Sequence, residues 1–394
     1  MPDKITIFDT TLRDGEQSAG VSFSKQDKLD IAGALEAMGV DVIEAGFPAA
    51  SASEADAVSA VAAQIRDATV CGLSRCVAGD VDAAGEALKR AARSRIHLFL
   101  GTSDVHLQNQ LRTDRATVLG LAQSMVARAK RYTNDIEFSP MDATRADPAF
   151  LAEIVRAALG AGATTINIPD TVGYALPAQI DACFRDLRAR VPELEGATLS
   201  FHGQDDLGLS TANAIAAVTA GARQVELAVN GIGERAGNTS FEEVVMILKV
   251  HGPALGVRTD VDTRGIYALS KLVEERSGMP VAGNKAIVGG NAFRHASGIH
   301  QDGVIKHRQN YEIIDPAWIG HPKGTQIVLG KLSGRAGFAA RVRELGWRAS
   351  SDQLERAFGR FQILADTRRE VSEADVASLC LAEGIERGAD SKAS

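Results

Sequence analysis

The sequence predicts an α/β protein: a (β/α)8 TIM barrel followed by a mainly helical C-terminal subdomain. Short apolar runs recur eight times in the first part of the chain, and segments with helical periodicity separate them. Eight strand–helix units within about 250 residues are typical of this barrel. A doubly wound open sheet is the alternative, but the turn after the first strand lacks that fold's Gly-x-Gly-x-x-Gly motif. The predicted strands span residues 5–8, 42–45, 69–73, 96–101, 135–139, 165–168, 198–202 and 224–229.

The segment after the fifth strand illustrates why the intervening regions are predicted as helices. Asp147 is a favourable N-cap, and Pro148 suits the first helical turn. Apolar residues then recur at helical spacing: Leu151, Ile154, Val155, Ala158 and Leu159. Gly160 and Gly162 end the pattern.

Past about residue 255 the alternation of strands and helices stops. Helices are predicted over residues 264–275, 334–345, 352–365 and 372–382. The loop-rich stretch 278–330 holds four of the chain's eight histidines, which indicates a functional region. The expected parts are a barrel (1–255), a loop-rich and helical linker subdomain (256–330), a helical subdomain (331–386) and a frayed tail (387–394).

Composition and charge narrow the class of protein. The chain has 394 residues, 45% of them hydrophobic, and a net charge of -7 without a basic tract. Nucleic acid and membrane surfaces are therefore not expected as partners. Four cysteines without a zinc-binding spacing, no apolar run of about 18 residues and no signal-peptide pattern favour the cytoplasm. Cys71 and Cys76 are expected to be buried packing residues.

Polar residues occur where the predicted strands end. The first strand leads into Arg13 and Asp14, and the chemistry of a barrel lies at the carboxyl ends of its strands. The carboxylate can hold a divalent metal, and the guanidinium can stabilise charge on a polarised carbonyl, so this pair suits chemistry on a 2-oxo acid. The polar residues at the other strand ends are Glu44, His97, Thr102, Ser139, Thr171, His202, Gln204, Asp206 and Asn230. Their joint pattern predicts one site.

Several motifs resemble those of the 2-isopropylmalate and homocitrate synthases, which are metal-dependent barrels that catalyse a Claisen condensation. The motifs span residues 8–17, 44–48, 165–174, 205–209, 230–238 and 298–303, and the similarity covers nearly the whole chain. The resemblance is closest to the 2-isopropylmalate synthases of leucine biosynthesis. It implies an enzyme that joins acetyl-CoA to a 2-oxo acid, by default 3-methyl-2-oxobutanoate, and releases a 2-alkylmalate and CoA.

The resemblance also implies roles for single residues. Arg13 would stabilise oxyanion charge. A partner subunit would insert His300, the expected base, and Tyr311, which implies a homodimer with an exchanged C-terminal subdomain. The implied metal ligands are Asp14, His202, Gln204 and Asn238, the last through water. The implied contacts to the 2-oxo acid are Arg13, His97, Ser139 and Thr171.

The glycine-rich loop after the eighth strand is expected to bind CoA, because its glycines let the backbone approach an anionic ligand. The residues expected there are Asn230, Gly231, Gly233, Glu234 and Arg235. The other histidines of the loop-rich stretch, His295, His307 and His321, are expected at the surface or in an interface.

Two positions depart from the family's pattern. The family's His-x-His metal pair is here His202-Gly203-Gln204, and an amide oxygen is a weaker donor to a borderline metal than imidazole. Where the family has a glutamate two residues after the serine that matches Ser139, this chain has Met141. Both changes affect metal affinity and activation of the base. The metal itself is left open among magnesium, manganese, cobalt and zinc.

These departures leave other functions open. One is the same reaction with 2-oxoglutarate, pyruvate or a specialised 2-oxo acid. A second is a related lyase reaction, and a third is a non-catalytic paralogue or one of altered chemistry. Retention of Arg13, Asp14, His202, His300 and Tyr311 favours catalysis. The resemblance ends near residue 385, so a regulatory domain and feedback inhibition by leucine are not expected.

Overall fold

The computed structural model describes residues 2–388. Eight parallel strands form a closed barrel in chain order, and the first strand pairs with the last to complete the ring. The strands are β1 (Thr6–Asp9), β2 (Val42–Gly46), β3 (Thr69–Arg75), β4 (Ser94–Gly101), β5 (Ile136–Met141), β6 (Thr165–Asp170), β7 (Thr198–Gly203) and β8 (Gln224–Leu227). The predicted barrel is confirmed. Strand β8 is shorter than predicted, because the chain turns into a 3-10 helix at Val229–Gly231 with Asn230 at a φ of 60°.

Helices alternate with the strands, as predicted. The helices of this part of the chain are α1 (Lys25–Ala37), α2 (Ala52–Gln64), α3 (Ala78–Ala87), α4 (Arg115–Ala129), α5 (Pro148–Ala161), α6 (Pro177–Arg190), α7 (Ser210–Thr219), α8 (Phe241–Leu255) and α9 (Ile266–Ser277). Helix α5 begins and ends as the sequence predicts. The side chain of Asp147 accepts a hydrogen bond from the N–H of Phe150, and Gly162 ends the helix in the left-handed conformation.

Polar side chains fill the interior of the barrel in layers. Arg95 Nη1 lies 3.0 Å from Glu137 Oε2 and 2.7 Å from Gln224 Oε1, so strands β4, β5 and β8 meet in one buried layer. Because side chains alternate along a strand, the residues two positions further on point inward as well. The next layer therefore contains His97 from β4, together with Ser139 and Glu226. This layer forms the floor of the site described below.

The buried cysteines act as packing residues, as expected. Cys71 and Cys76 are buried, and burial raises the pKa of the Cys76 thiol to about 12. Neither thiol is therefore ionised near neutral pH.

Four helices follow in the second part of the chain. They are α10 (Gly298–Lys306), α11 (Arg335–Glu344), α12 (Ser351–Ala365) and α13 (Glu373–Ala382). Helices α11 to α13 share a separate hydrophobic core, in which Phe338 of α11 and Phe361 of α12 are buried. The last three helices agree with the prediction. Helix α10 lies in the stretch that was predicted to be loop-rich, because Gly298 and Gly303 obscure its helical pattern.

The predicted tail differs in part from the structure. Residues Glu386–Arg387 pair with Trp347–Arg348 as a short antiparallel ribbon, so Arg387 is not frayed. The side chain of Trp347 is buried under this pairing. Residues 389–394 lie outside the described part of the chain.

The chain divides into two compact units, one ending at Val281 and the other beginning at Ala282. The partition at residues 255 and 330 stays a prediction. Helix α9 belongs to the first unit, where Arg276 forms ion pairs with Asp27 and Asp30 of α1. Within residues 2–388, none of the helices combines the length and the hydrophobicity needed to span a membrane.

Candidate active site

Arg13 and Asp14 lie in the tight turn that follows β1. Backbone N–H groups of Arg13 and Gly15 donate to the carbonyl oxygen of Thr10 and fix this turn. Arg13 then bridges two buried carboxylates. Its Nε lies 2.6 Å from Glu44 Oε2, and its Nη1 lies 2.8 Å from Asp14 Oδ2. The third nitrogen, Nη2, takes part in neither of these contacts, and Arg13 lines the cavity described below.

Both carboxylates are held in the charged form. Burial opposes the ionisation of Asp14, but the charges of Arg13 and His202 outweigh it and hold its pKa below the ordinary value. Burial likewise opposes the ionisation of Glu44, whose pKa is lowered well below its usual range by Arg13 and His97. The turn therefore presents a guanidinium between two negative charges.

His97 lies in the middle of β4, deeper than the strand-end position that the sequence suggested. Its Nδ1 is 2.7 Å from Glu44 Oε1, and its Nε2 is 2.7 Å from Ser139 Oγ. Burial alone would lower the pKa of His97, but the neighbouring charge of Glu44 raises it to about 9. The ring is therefore an imidazolium near neutral pH, and both of its N–H groups donate.

Two hydroxyl groups are positioned to donate into the cavity. Ser139 Oγ accepts from the His97 imidazolium and from Asn167 Nδ2 at 2.8 Å, so its own proton is left for another acceptor. Thr171 Oγ1 accepts from the backbone N–H of Asp142 at 2.9 Å and is left with its proton in the same way. Both residues line the same cavity. The pair can bind a carboxylate or carbonyl oxygen.

His202 follows the arrangement of a metal-binding histidine. Its Nδ1 lies 2.8 Å from Glu226 Oε2, and its Nε2 faces Asp14 Oδ2 at 3.7 Å. Metal-binding histidines commonly donate one ring N–H to a carboxylate, which leaves the other nitrogen as a ligand. Burial would lower the pKa of His202, but the hydrogen bond and charge of Glu226 raise it above the ordinary value.

The side-chain amide of Gln204 lies between the implied metal ligands. Its Nε2 is 3.3 Å from Asp14 Oδ2, 3.1 Å from His202 Nε2 and 3.0 Å from Asn238 Oδ1. The side chain of Asn238 is held by a hydrogen bond from its Nδ2 to Ile232 O at 3.0 Å. Gln204 Oε1 is buried and has no hydrogen-bond partner among the described residues.

These side chains fit a divalent cation. They offer a carboxylate oxygen from Asp14, an imidazole nitrogen from His202 and amide oxygens from Gln204 and Asn238. Gln204 Oε1 is buried and receives no hydrogen bond from the described part of the chain, and a bound cation would satisfy this oxygen. The unpaired oxygen therefore supports the fit. An oxygen-rich set suits Mg²⁺ or Mn²⁺ better than zinc.

Two other groups of buried side chains bring potential ligand atoms within 4.8 Å of one another. One is Glu44, Cys71 and His97, and the other is His97, Glu137 and Glu226. Both groups depend on His97, whose two ring nitrogens already bond Glu44 and Ser139. They therefore fit a cation less well than the cluster around Asp14.

The glycine-rich loop after β8 is held close to this cluster. An added Cβ at Gly233 would lie 2.1 Å from Asn238 Nδ2, so glycine is required there for Asn238 to pack. Gly231 O accepts from the backbone N–H of Asn238 at 3.0 Å, and the N–H of Glu234 lies 3.4 Å from Asp14 Oδ1. The loop thereby supports Asn238 and Asp14.

Two of the residues expected to bind CoA have protein partners. Asn230 Nδ2 donates to Ser270 O at 2.9 Å, so this side chain faces α9. Arg235 forms an ion pair with Asp206 at 2.8 Å and donates to Thr171 O at 2.7 Å. Their binding of CoA stays a prediction.

A cavity of about 510 Å³ unites most of the predicted site residues. Those that line it are Arg13, Asp14, His97, Ser139, Thr171, His202, Gln204, Glu234 and Arg235. Asn238 adjoins the cavity through its contact with Gln204. Met141 lines the wall, so the position at which the family has a glutamate does face the site.

His300 and Tyr311 belong to the second compact unit, where their rings stack with centroids 4.1 Å apart. Tyr311 is 43% exposed, and His300 is exposed as well. His295 was expected at the surface or in an interface. It is instead buried, with its Nε2 2.9 Å from Glu312 Oε1, and its ring lies edge-on to His300. The loop-rich sequence around His295 has no apolar pattern that would have predicted its burial.

Two residues that line the cavity, Glu226 and Asn167, were missed in the sequence, and so was Glu312, the partner of His295 in the second unit. Glu226 alternates with Gln224 along the short apolar strand β8, and this period of two was the available signal. In β6, Asn167 likewise follows Thr165 at a spacing of two residues, so the same signal was available there. Glu312 has no local signal, because its partner His295 is brought to it by the fold of the second unit.

Comparison with protein families agrees with this fold. The family model described as HMGL-like matches residues 4–273, and the model described as homocitrate synthase post-HMGL domain-like matches residues 287–369. Structures of HMG-CoA lyases from Pseudomonas aeruginosa and Bacillus subtilis match with TM-scores of 0.61 and 0.59, each at 22% identity. Each match covers 71% of this chain, and 95% and 96% of those proteins. The fold is that of an HMGL-like barrel.

Curated relatives are far more similar in sequence. The 2-isopropylmalate synthase of Synechocystis is 52% identical over 391 residues, which cover 96% of this chain and 73% of that protein. Those of Methylococcus capsulatus and Pyrococcus abyssi are each 50% identical, covering 98% and 95% of this chain and 75% and 77% of theirs. The chain therefore belongs to the 2-isopropylmalate synthase family.

Proposed function

We propose that the chain condenses acetyl-CoA with 3-methyl-2-oxobutanoate and releases 2-isopropylmalate and CoA. The observation that carries this proposal is the convergence of Arg13, Ser139 and Thr171 on one cavity beside the ionised Asp14. The family to which the chain belongs uses acetyl-CoA and is metal-dependent.

The 2-oxo acid binds through its carboxylate and keto oxygens. The free protons of Ser139 and Thr171 donate to the carboxylate, and the imidazolium of His97 fixes the orientation of the Ser139 hydroxyl. Leu73, Phe99 and Met141 provide apolar wall for a branched alkyl group. The two arginines of the cavity, Arg13 and Arg235, are both already in ion pairs, which disfavours an acceptor with a second carboxylate such as 2-oxoglutarate.

Charge at the reacting carbonyl is stabilised by the residues of the β1 turn. Arg13 Nη2 donates to the keto oxygen as negative charge develops on it. A divalent cation held by Asp14, His202 and Gln204 would withdraw electron density from the same carbonyl. Glu44 holds the guanidinium in place through its contact with Nε.

His300 acts as the base that removes a proton from the acetyl methyl group of acetyl-CoA. The resulting carbon nucleophile forms a C–C bond with C2 of the oxo acid, and water then cleaves the thioester to give the carboxylate and free CoA. Tyr311 stacks on the ring of His300 and restricts its orientation. The loop residues Glu234 and Arg235 bind CoA at the mouth of the cavity.

His300 and Tyr311 act in the active site of a partner subunit within a homodimer. Their exposure supports this proposal, as do the exposed neighbours Ile299 and Ile313, at 75% and 76%. Mixing Arg13→Ala and His300→Ala subunits tests it. An exchanged dimer regains one intact site in each mixed dimer, whereas a dimer without exchange regains none.

The proposed reaction is tested by CoA release, detected with a thiol reagent, against a panel of 2-oxo acids with and without divalent metal. Metal-dependent release with 3-methyl-2-oxobutanoate supports the proposal. Preference for another acceptor would correct the substrate. No release from folded, metal-loaded protein with any acceptor would contradict the reaction.

A further inference from the structure

We propose that the side-chain amide of Gln204 controls metal binding at the Asp14 cluster. Its NH₂ group faces the cluster when no cation is bound, and its oxygen turns inward as a ligand when Mg²⁺ or Mn²⁺ binds. This inference rests on the proposed function and extends it to the choice of metal and the strength of binding.

The contacts of Gln204 place one nitrogen where a cation would have to lie. Nε2 is within 3.3 Å of Asp14 Oδ2, His202 Nε2 and Asn238 Oδ1. An amide nitrogen has no lone pair to offer a metal, but it carries two protons for these acceptors. The NH₂ group can thus donate to two of these three atoms in the absence of a cation, and it occupies the space that a cation needs.

The backbone of Gln204 is fixed, so the side chain alone can respond to a cation. Its N–H donates to Asp170 O at 3.2 Å, and the residue forms a β-bridge with Asn238. A half-turn of the terminal amide exchanges Nε2 for Oε1. In the absence of a cation that exchange would place Oε1 against the oxygens of Asp14 and Asn238, and the repulsion disfavours it. With a cation between them, the same exchange satisfies the buried oxygen that has no partner.

Two features make the cation site weak and selective for hard metals. Arg13 Nη1 donates to Asp14 Oδ2 at 2.8 Å, so the carboxylate oxygen that would bind the metal is already paired with a positive charge. A cation must also displace the NH₂ group. The ligand that it gains from Gln204 is a neutral oxygen, which favours Mg²⁺ and Mn²⁺ over Zn²⁺ and Co²⁺.

The test is calorimetric titration of metal-depleted protein with Mg²⁺, Mn²⁺, Co²⁺ and Zn²⁺, without either substrate. Gln204→His supplies an imidazole ligand and is expected to bind Zn²⁺ and Co²⁺ more tightly by at least about tenfold, since even outer partners of a metal ligand change affinity by about 10–100-fold. Gln110→His is the control, because Gln110 lines the same cavity but is exposed and does not contact the cluster. It should leave all four affinities unchanged. Equal Zn²⁺ affinity in the wild type and Gln204→His would overturn the inference.

Gln204→Glu keeps the inference testable if the histidine variant does not fold. A carboxylate cannot donate to Asp14, so this variant should melt at a lower temperature without metal and be rescued by Mn²⁺, which it should bind more tightly than the wild type. A variant with unchanged melting temperature and unchanged Mn²⁺ affinity would contradict the role of the amide. The metal titrations contain no substrate, so they are independent of the reaction. If the metal affinities are as expected but the protein releases no CoA, only the proposed reaction is contradicted. If the protein releases CoA but its metal affinities are not as expected, only this inference is contradicted.

Discussion

His97 and Glu44 form a buried ion pair inside the barrel, with His97 Nδ1 2.7 Å from Glu44 Oε1. The same carboxylate binds Arg13 through its other oxygen, Oε2. Glu44 therefore connects His97, which orients Ser139, with Arg13. In the proposed mechanism, substrate binding and carbonyl activation thus depend on one side chain.

The His97–Glu44 pair makes stability depend on pH. Glu44 raises the pKa of His97 to about 9 in the folded protein, against 6.5 for an ordinary histidine. A raised folded-state pKa contributes stability that is complete below about pH 6.5 and is lost as the pH rises through about 9. The contribution is about 3 kcal/mol at low pH. Urea unfolding of the wild type and His97→Gln should give a difference in unfolding free energy that shrinks between pH 6.5 and 9.5. A difference independent of pH would show that the pair is not charged in this way.

Arg13→Lys should lower kcat by about 10²–10³-fold while the barrel stays folded, because a single ammonium cannot contact Glu44, Asp14 and the keto oxygen together. The measurement is CoA release at saturating substrate, with thermal unfolding to check the fold. Arg128→Lys, at an ion pair with Asp82 away from the cavity, is the matched control and should keep full activity. If Arg13→Lys or Arg13→Ala turned over substrate at the wild-type rate, Arg13 would have no part in the mechanism.

Gly303→Ala should lower kcat by on the order of 10²-fold without destabilising its helix. Alanine is favoured over glycine inside α10 by about 1 kcal/mol. Its Cβ would lie 2.4 Å from Tyr311 Cε2, however, so the Tyr311 ring must move off His300. Misplacement of a catalytic group by about 1 Å costs on the order of 10²-fold in rate.

The control for that experiment is Gly359→Ala in α12, where an added Cβ meets nothing within 4 Å. It should gain stability and keep its activity. If Gly303→Ala and Gly359→Ala had the same kcat, the stacked pair would have no part in the reaction.

Met141→Glu should raise kcat by at least about tenfold if the cavity wall at this position supports base activation, since general acid–base groups contribute about 10²–10⁴-fold. Met141 is half-buried at the end of β5 and lines the cavity, so a carboxylate can be accommodated there. Met141→Gln has nearly the same shape without the charge and should not raise kcat. An equal effect of both substitutions would assign the change to packing.

The barrel was predictable because its strands are short apolar runs that alternate with helical periodicity, and both are local patterns. The residues of the β1 turn were predictable for the same reason, since Arg13 and Asp14 directly follow an apolar strand. Helix α10 was not, because its glycines weaken the local pattern although the fold of the second unit stabilises the helix.

The depth and the partners of the site residues could not be predicted from the sequence. His97 was placed at a strand end, but two further layers of residues separate its ring from that end. The orientation of the Gln204 amide is set by Asp14, which lies 190 residues away in the chain. Contacts of this kind depend on the closure of the barrel, and no local pattern encodes them.

The proposed condensation can be followed directly through the fate of labelled acetyl-CoA. Protein with Mn²⁺ is incubated with 3-methyl-2-oxobutanoate and acetyl-CoA that carries ¹³C in its methyl group, and the products are followed by NMR. Condensation should give free CoA and ¹³C in the methylene group of 2-isopropylmalate. Label that remains in acetyl-CoA, or appears only as acetate, would contradict condensation at this site.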